Sequence, residues 1–158
     1  MRKAVQELKE KENKVDVLVC NGGVLLNEKR TTGEGNEVTF ASHLLGGSYL
    51  LSQLLLPQFN VAEDPRIIFV SSGGMYTSPF PDWPTATSSE GATHEYDGNL
   101  AYAYAKRGQV ILAEEYTKLY RGIKTVSCHP GWTLTPAVDS AYGENKKYLE
   151  PMRTTWQG

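Results

Sequence analysis

The chain has 158 residues, enough for one domain with a sizeable core. Charged residues make up 22% of it and hydrophobic residues 40%, and the net charge of −2 gives no reason to expect nucleic acid or an anionic membrane as a partner. Cys20 and Cys128 are too few for a disulfide framework and fit a reducing compartment, while His43, His94 and His129 lack metal-ligand spacing, so no metal site is expected.

The opening residues Met1 to Gln6 carry no apolar signal-peptide core, which makes a cytoplasmic location the expectation. Residues 2 to 12 are mostly charged, with Val5 and Leu8 on one face, and read as a short exposed helix. Val15 to Cys20 reads as a buried strand, stopped by Asn21-Gly22-Gly23. After a loop rich in Gly, Thr and Glu, a helix is expected from about Asn36 to Leu56, ending at Pro57. Its apolar run from Leu44 to Leu56 is shorter than the about 20 residues a bilayer requires. A buried or oligomer-forming helix is the better reading.

Arg66 to Ser71 is a second continuous apolar strand. Residues 79 to 99 form a polar loop with three prolines, too long for a simple connector. Leu100 to Tyr120 is a strong helix with Gly122 in a C-cap position, and Ile123 to Cys128 is a third strand ending at Pro130-Gly131. The tail after Ala137 is polar, with weak helix near Asn145 to Met152. Strand-helix-strand-helix-strand with β-branched, two-face-apolar strands predicts a parallel sheet covered by helices, whose ligands bind at the carboxyl ends of the strands. Asn21-Gly22-Gly23, Ser71-Ser72 and Pro130-Gly131 all fall there.

One pair carries chemistry. Tyr102 and Lys106 are four residues apart on the third helix, so they share a face. An ammonium beside a phenol favours phenolate and lowers the tyrosine pKa. Tyr104, only two residues from Lys106, points to the far side. A serine hydroxyl at the end of the middle strand could then orient a substrate oxygen for proton transfer.

These elements together resemble the short-chain dehydrogenase/reductase superfamily, nearest the branch that contains dehydrogenase/reductase member twelve and the retinol dehydrogenases. The resemblance runs from about Val5 to Thr135 and implies a single, partial Rossmann-like doubly wound parallel sheet of three central strands across residues 1 to 158, with 79 to 99 as a long active-site loop. It implies an oxidoreductase that uses NAD or NADP on a small carbonyl or alcohol substrate. By the same resemblance Ser72 polarises the substrate oxygen and Tyr102 is the general acid/base. Lys106 holds the nicotinamide ribose and lowers the pKa of Tyr102. Asn21, Gly22 and Gly23 stabilise the sheet near the cofactor, and Pro130, Gly131 and Thr135 line the nicotinamide pocket.

Two departures stand out. His43 occupies the position of the family's middle-helix asparagine, whose backbone binds a relay water, and one extra residue follows it. His43 is either a water-holding group or a packed helix histidine. The family's Thr-Gly-x-x-x-Gly-x-Gly turn, which meets the cofactor pyrophosphate, is absent, and Gly22-Gly23, Gly46-Gly47 and Gly73-Gly74 have the wrong spacing. The resemblance therefore implies a chain shortened at both ends that keeps the catalytic half and is inactive by itself. The alternative is a non-catalytic remnant that associates, as a homo-oligomer or with a partner, through the helices at about 36–56 and 100–120.

Overall fold

The computed structural model describes residues 1–149 and 151–158, without the side chains of Ala137, Ser140 and Ala141. Its centre is a parallel sheet of β1 (Val17–Cys20), β2 (Arg66–Val70) and β3 (Lys124–Cys128), in the order β1-β2-β3. Cys20 aligns with Phe69, and Val70 with Cys128, so all three strands deliver their carboxyl ends to one edge of the molecule.

Strand register assigns side chains to faces, because residues at matching positions share a face and successive residues alternate. Cys20, Ile67 and Phe69 point into the core, joined there by Val5, Leu55, Phe59, Ala113, Tyr116 and Ile123. Val5 comes from α1 (Arg2–Lys11), so the amphipathic helix that the charge pattern left exposed spends one apolar side chain on the core. The opposite sheet face differs from the expectation of helices on both sides. It carries Val19 and Val126, which remain 52% and 51% exposed.

The long middle helix has three parts: α2 (Val38–Phe40), a π-helical stretch Ala41–Leu50, and α3 (Leu51–Phe59). Glu37 starts it, accepting the Thr39 and Phe40 backbone N–H groups at 2.8 and 2.7 Å. The expected stop at Pro57 is not observed. Pro57 sits near the C-terminal end of α3, where its missing N–H costs a single intrahelical bond, and the helix continues to place Phe59, fully buried, in the core. The π-helical stretch begins two residues before His43 and widens the turn there. Glycine makes it sterically possible: a Cβ on Gly46 would sit 2.8 Å from the Ala41 carbonyl oxygen, and one on Gly47 would run into that of Ser42.

Residues 79 to 99 are compact. They contain α4 (Trp83–Ala86), capped by Asp82 through the Thr85 N–H at 2.9 Å. Trp83 meets Phe40 edge to face at 5.6 Å, and Tyr96 donates to Glu37 at 3.2 Å, which ties the loop to the start of the middle helix. Helix α5 (Gly98–Leu119) follows, with Asp97 capping Leu100 N–H at 2.9 Å. Its end differs from the sequence expectation: Tyr120 is the C-cap and Gly122 has no positive φ, so no left-handed glycine cap forms. Past β3 come a short two-stranded parallel ladder, β4 (Trp132–Thr133) with β5 (Met152–Arg153), then α6 (Pro136–Tyr142) and a 3-10 turn Gly143–Tyr148 between them. The expected weak helix near 145–152 is thus a 3-10 turn that closes before Leu149, and Glu150 lies outside the described residues.

No helix among the described residues is long and apolar enough to cross a membrane.

Candidate active site

At the carboxyl edge of the sheet a cleft of about 140 Å³ is lined by Ser72, Tyr102, His129, Pro130, Gly131 and Thr135, with Trp132 and Tyr142 among its other walls. Five of the residues expected from sequence therefore converge from three separated segments. Each is positioned by a local cause. The serine after β2 divides into two roles: Ser71 is buried and donates to the Lys106 carbonyl at 2.8 Å, anchoring α5, while Ser72 faces the cleft and caps a 3-10 turn at Gly74. Gly131 adopts φ +82°, a conformation glycine takes freely, and this turns the chain past the site. Thr135 caps α6 through Val138 N–H at 3.4 Å.

Lys106 lies behind the cleft wall. Its ammonium donates to the Val70 carbonyl at 2.7 Å and sits 5.5 Å from the centroid of the Tyr102 ring. The i, i+4 relation thus holds, but the ammonium meets the ring face instead of the hydroxyl. The expected lowering of the Tyr102 pKa is not found. Burial raises it, offset in part by the Ser72 hydroxyl, because desolvation of a phenolate outweighs a single hydroxyl donor. Burial also brings the Lys106 pKa down to about 8. Tyr104 points away, as its spacing requires, and holds the 79–99 loop through His94 at 3.3 Å.

His43 is a packed helix histidine against the other side of Tyr102, ring to ring at 5.2 Å and 90°. Its Nε2 is held at the Val24 backbone, 3.0 Å from the nitrogen and 2.7 Å from the oxygen, while Nδ1 is buried with no partner. Burial, then the Lys106 charge, pull its pKa down to about 4, so the imidazole is neutral at pH 7. Gly23 lies flat against this ring, where a Cβ would overlap it. Asn21 and Gly22 are exposed beyond β1 and do not line the cleft.

Sequence reasoning missed His129, which packs on Gly73 and accepts Gly131 N–H at 3.2 Å. Its place directly before Pro130-Gly131 was the available signal. It also missed Tyr142, which lies in a tail read only as polar. Arg153, from the same tail, donates to the Pro130 carbonyl at 2.7 Å.

The sequence and the fold have counterparts. The family model described as short chain dehydrogenase matches residues 1–146. Dehydrogenase/reductase SDR family member 12 of Homo sapiens is 35% identical over 157 residues, which is 99% of this chain and 48% of the relative. Retinol dehydrogenase 13 of Homo sapiens is 28% identical over 141 residues, 85% of this chain and 40% of the relative. Among solved structures, the 3-alpha-hydroxysteroid dehydrogenase of Pseudomonas sp. B-0831 complexed with NADH superposes with a TM-score of 0.69 at 22% identity, covering 94% of this chain and 62% of that one. The NADPH-bound carbonyl reductase from chicken fatty liver gives 0.64 at 20% identity, covering 97% and 59%. At those identities the structural likeness speaks for the fold alone. The chain belongs to the short chain dehydrogenase family, a family of oxidoreductases with a Rossmann fold, and it spans about half the length of the curated relatives it matches.

Proposed function

We propose that this chain carries the substrate-facing half of an NAD(P)-dependent oxidoreductase that interconverts a carbonyl and an alcohol. The observation that carries the reading is the single cleft shared by Ser72, Tyr102, Pro130, Gly131 and Thr135, with Lys106 directly behind Tyr102.

A nicotinamide cofactor supplies or accepts the hydride when bound; the chain's residues do the rest. The Ser72 hydroxyl donates a hydrogen bond to the substrate oxygen and fixes it in front of Tyr102. Tyr102 gives its phenolic proton to that oxygen in reduction and takes it back in oxidation. A phenol whose pKa is held above its ordinary value is fully protonated at pH 7, which suits the reductive direction. Lys106 is buried behind Tyr102 here and keeps two N–H donors beyond its bond to Val70, the number a pair of ribose hydroxyls would take, so it would hold the nicotinamide ribose once the chain around it opened to the cofactor. Gly131 and Thr135 offer it a close backbone and a hydroxyl. Of the three residues after β1, Gly23 supports the site through the His43 ring, while Asn21 and Gly22 would act there only by resemblance to the family. No glycine-rich turn in the sequence fits the pyrophosphate end.

The test is Tyr102→Phe in a form of the protein that turns over. Loss of the acid/base should lower turnover by about a hundredfold to ten-thousandfold, with nucleotide affinity nearly unchanged. Turnover within a factor of a few of the parent would sink the assignment.

A second reading, an interaction module that works without catalysis, draws on an apolar groove of about 400 Å³ between the middle helix and α5, lined by Phe40, Leu44, Leu45 and Ile111 among others. A second copy of the chain could use it. The loop side chains Phe80 and Trp83 already fill part of that wall. Titration with NADH and NADPH up to millimolar concentration, alongside sedimentation, separates the readings: weak but saturable nucleotide binding favours the enzyme, and concentration-dependent association without any binding favours the module.

A further inference from the structure

The π-helical stretch beneath Tyr102 is held by side chains that the reading above does not use. In a wide turn the carbonyl of residue i lies near residue i+5, and the His43 carbonyl is taken there by the Ser48 hydroxyl at 2.6 Å. Gln109, two turns along α5 from Tyr102, adds a second donor: its Nε2 stands 3.3 Å from the same carbonyl and 2.9 Å from Ser48 Oγ. Ser48 and Gln109 are both essentially inaccessible to solvent. Below them Ser52 donates to the Ser48 carbonyl at 2.7 Å and meets the Tyr116 hydroxyl at 2.9 Å, so the clasp continues down the helix pair. Both acceptor positions of the His43 carbonyl are occupied from within the chain, and the ring above it is pinned by Val24 and Gly23. The imidazole stands edge-on to Tyr102.

We propose that Gln109 and Ser48 are positioning residues for Tyr102: by clasping the His43 carbonyl across the wide turn, they lock the His43 ring as the wall that fixes and shields the phenol. The kinetic meaning of this clasp rests on Tyr102 being the proton-transferring group, whereas the clasp itself is read without turnover.

The experiment follows the two rings by NMR in the unaltered chain, in Gln109→Leu and in Ser48→Ala, using labelled histidine and tyrosine. The ionisable groups around His43 and its clasp are Lys106, Tyr102 and, beside Ser48, Cys20, and none of them is substituted in either variant. Loosening the wall admits water to both rings, so the imidazole should titrate about one pH unit or more above its value in the unaltered chain, and the Tyr102 phenol should titrate lower, towards the ordinary value. A merely structural loss would lower the melting temperature and leave both titrations where they were. That outcome, in either folded variant, overturns the proposal. If neither variant folds, the unaltered chain decides: Gln109 carboxamide protons that exchange at least a hundredfold slower than a free carboxamide support the clasp, and free exchange overturns it. In each case Tyr102→Phe can fail as a test of catalysis while these titrations stand.

Discussion

Acidification should destabilise this fold through His43, by an amount that can be worked out. In the unfolded chain the imidazole takes up its proton near pH 6.5, whereas burial and the Lys106 charge delay that step in the folded chain to about pH 4. Between those values the unfolded state binds more protons, so stability falls as the pH drops through the window and is unaffected by this group above it. Linkage gives a loss of about 2 kcal/mol by pH 5 and about 3 kcal/mol by pH 4, a large part of the stability of a small domain. The assay is urea denaturation followed by tryptophan fluorescence at pH steps from 7.5 to 4, on the parent and on His43→Asn, whose carboxamide does not titrate there. Carboxylates and His129 contribute to both curves and cancel in the difference. The parent should lose its 2 to 3 kcal/mol relative to the variant, roughly the figure linkage assigns to this one group. Parallel curves across the window would show that the imidazole is not buried and neutral, and the packing of His43 against Tyr102 would have to be abandoned.

Lys106→Met should leave the fold as stable as the parent or stabilise it at pH 7, since a buried ammonium whose pKa is brought down to about 8 is held at a cost, while turnover in an active form falls; a strongly lowered denaturation midpoint would contradict this. Native thiol titration should find two free cysteines that react in two phases: Cys128, exposed at the end of β3, first, and Cys20 only on unfolding, because burial pushes its thiol up to about 12. A single fast phase for both thiols would mean the core beside β1 is open. Gly23→Ala should cost about 1 to 3 kcal/mol, because the new methyl overlaps the His43 ring, and an unchanged melting temperature would show that the ring can move aside. The 158-residue chain should bind NADH or NADPH more weakly than low micromolar, with calorimetric titration of each nucleotide as the check, since no glycine-rich turn is present to meet the pyrophosphate.

What the sequence by itself determined is what depends on local chemistry and period. The apolar β-branched runs at Val15, Arg66 and Ile123 read as strands, and their alternation with long helices predicted the parallel sheet whose carboxyl edge carries Ser72 and Pro130, although one face of β1 and β3 stays half exposed. The four-residue spacing of Tyr102 and Lys106 likewise put both on one helix face and Tyr104 on the other. Tertiary structure alone decided how those groups are solvated. Whether Lys106 lowers the Tyr102 pKa depends on what else lies within a few ångströms, and burial turned the shift upward against the Ser72 hydroxyl. The same holds for His43: Gly46-Gly47 are visible in the chain, but only the folded structure brings Gln109, sixty-six residues away, to the His43 carbonyl at the wide turn. Spacing along a chain determines which face a side chain takes, and the contacts that set its charge and orientation come from segments brought together only by folding.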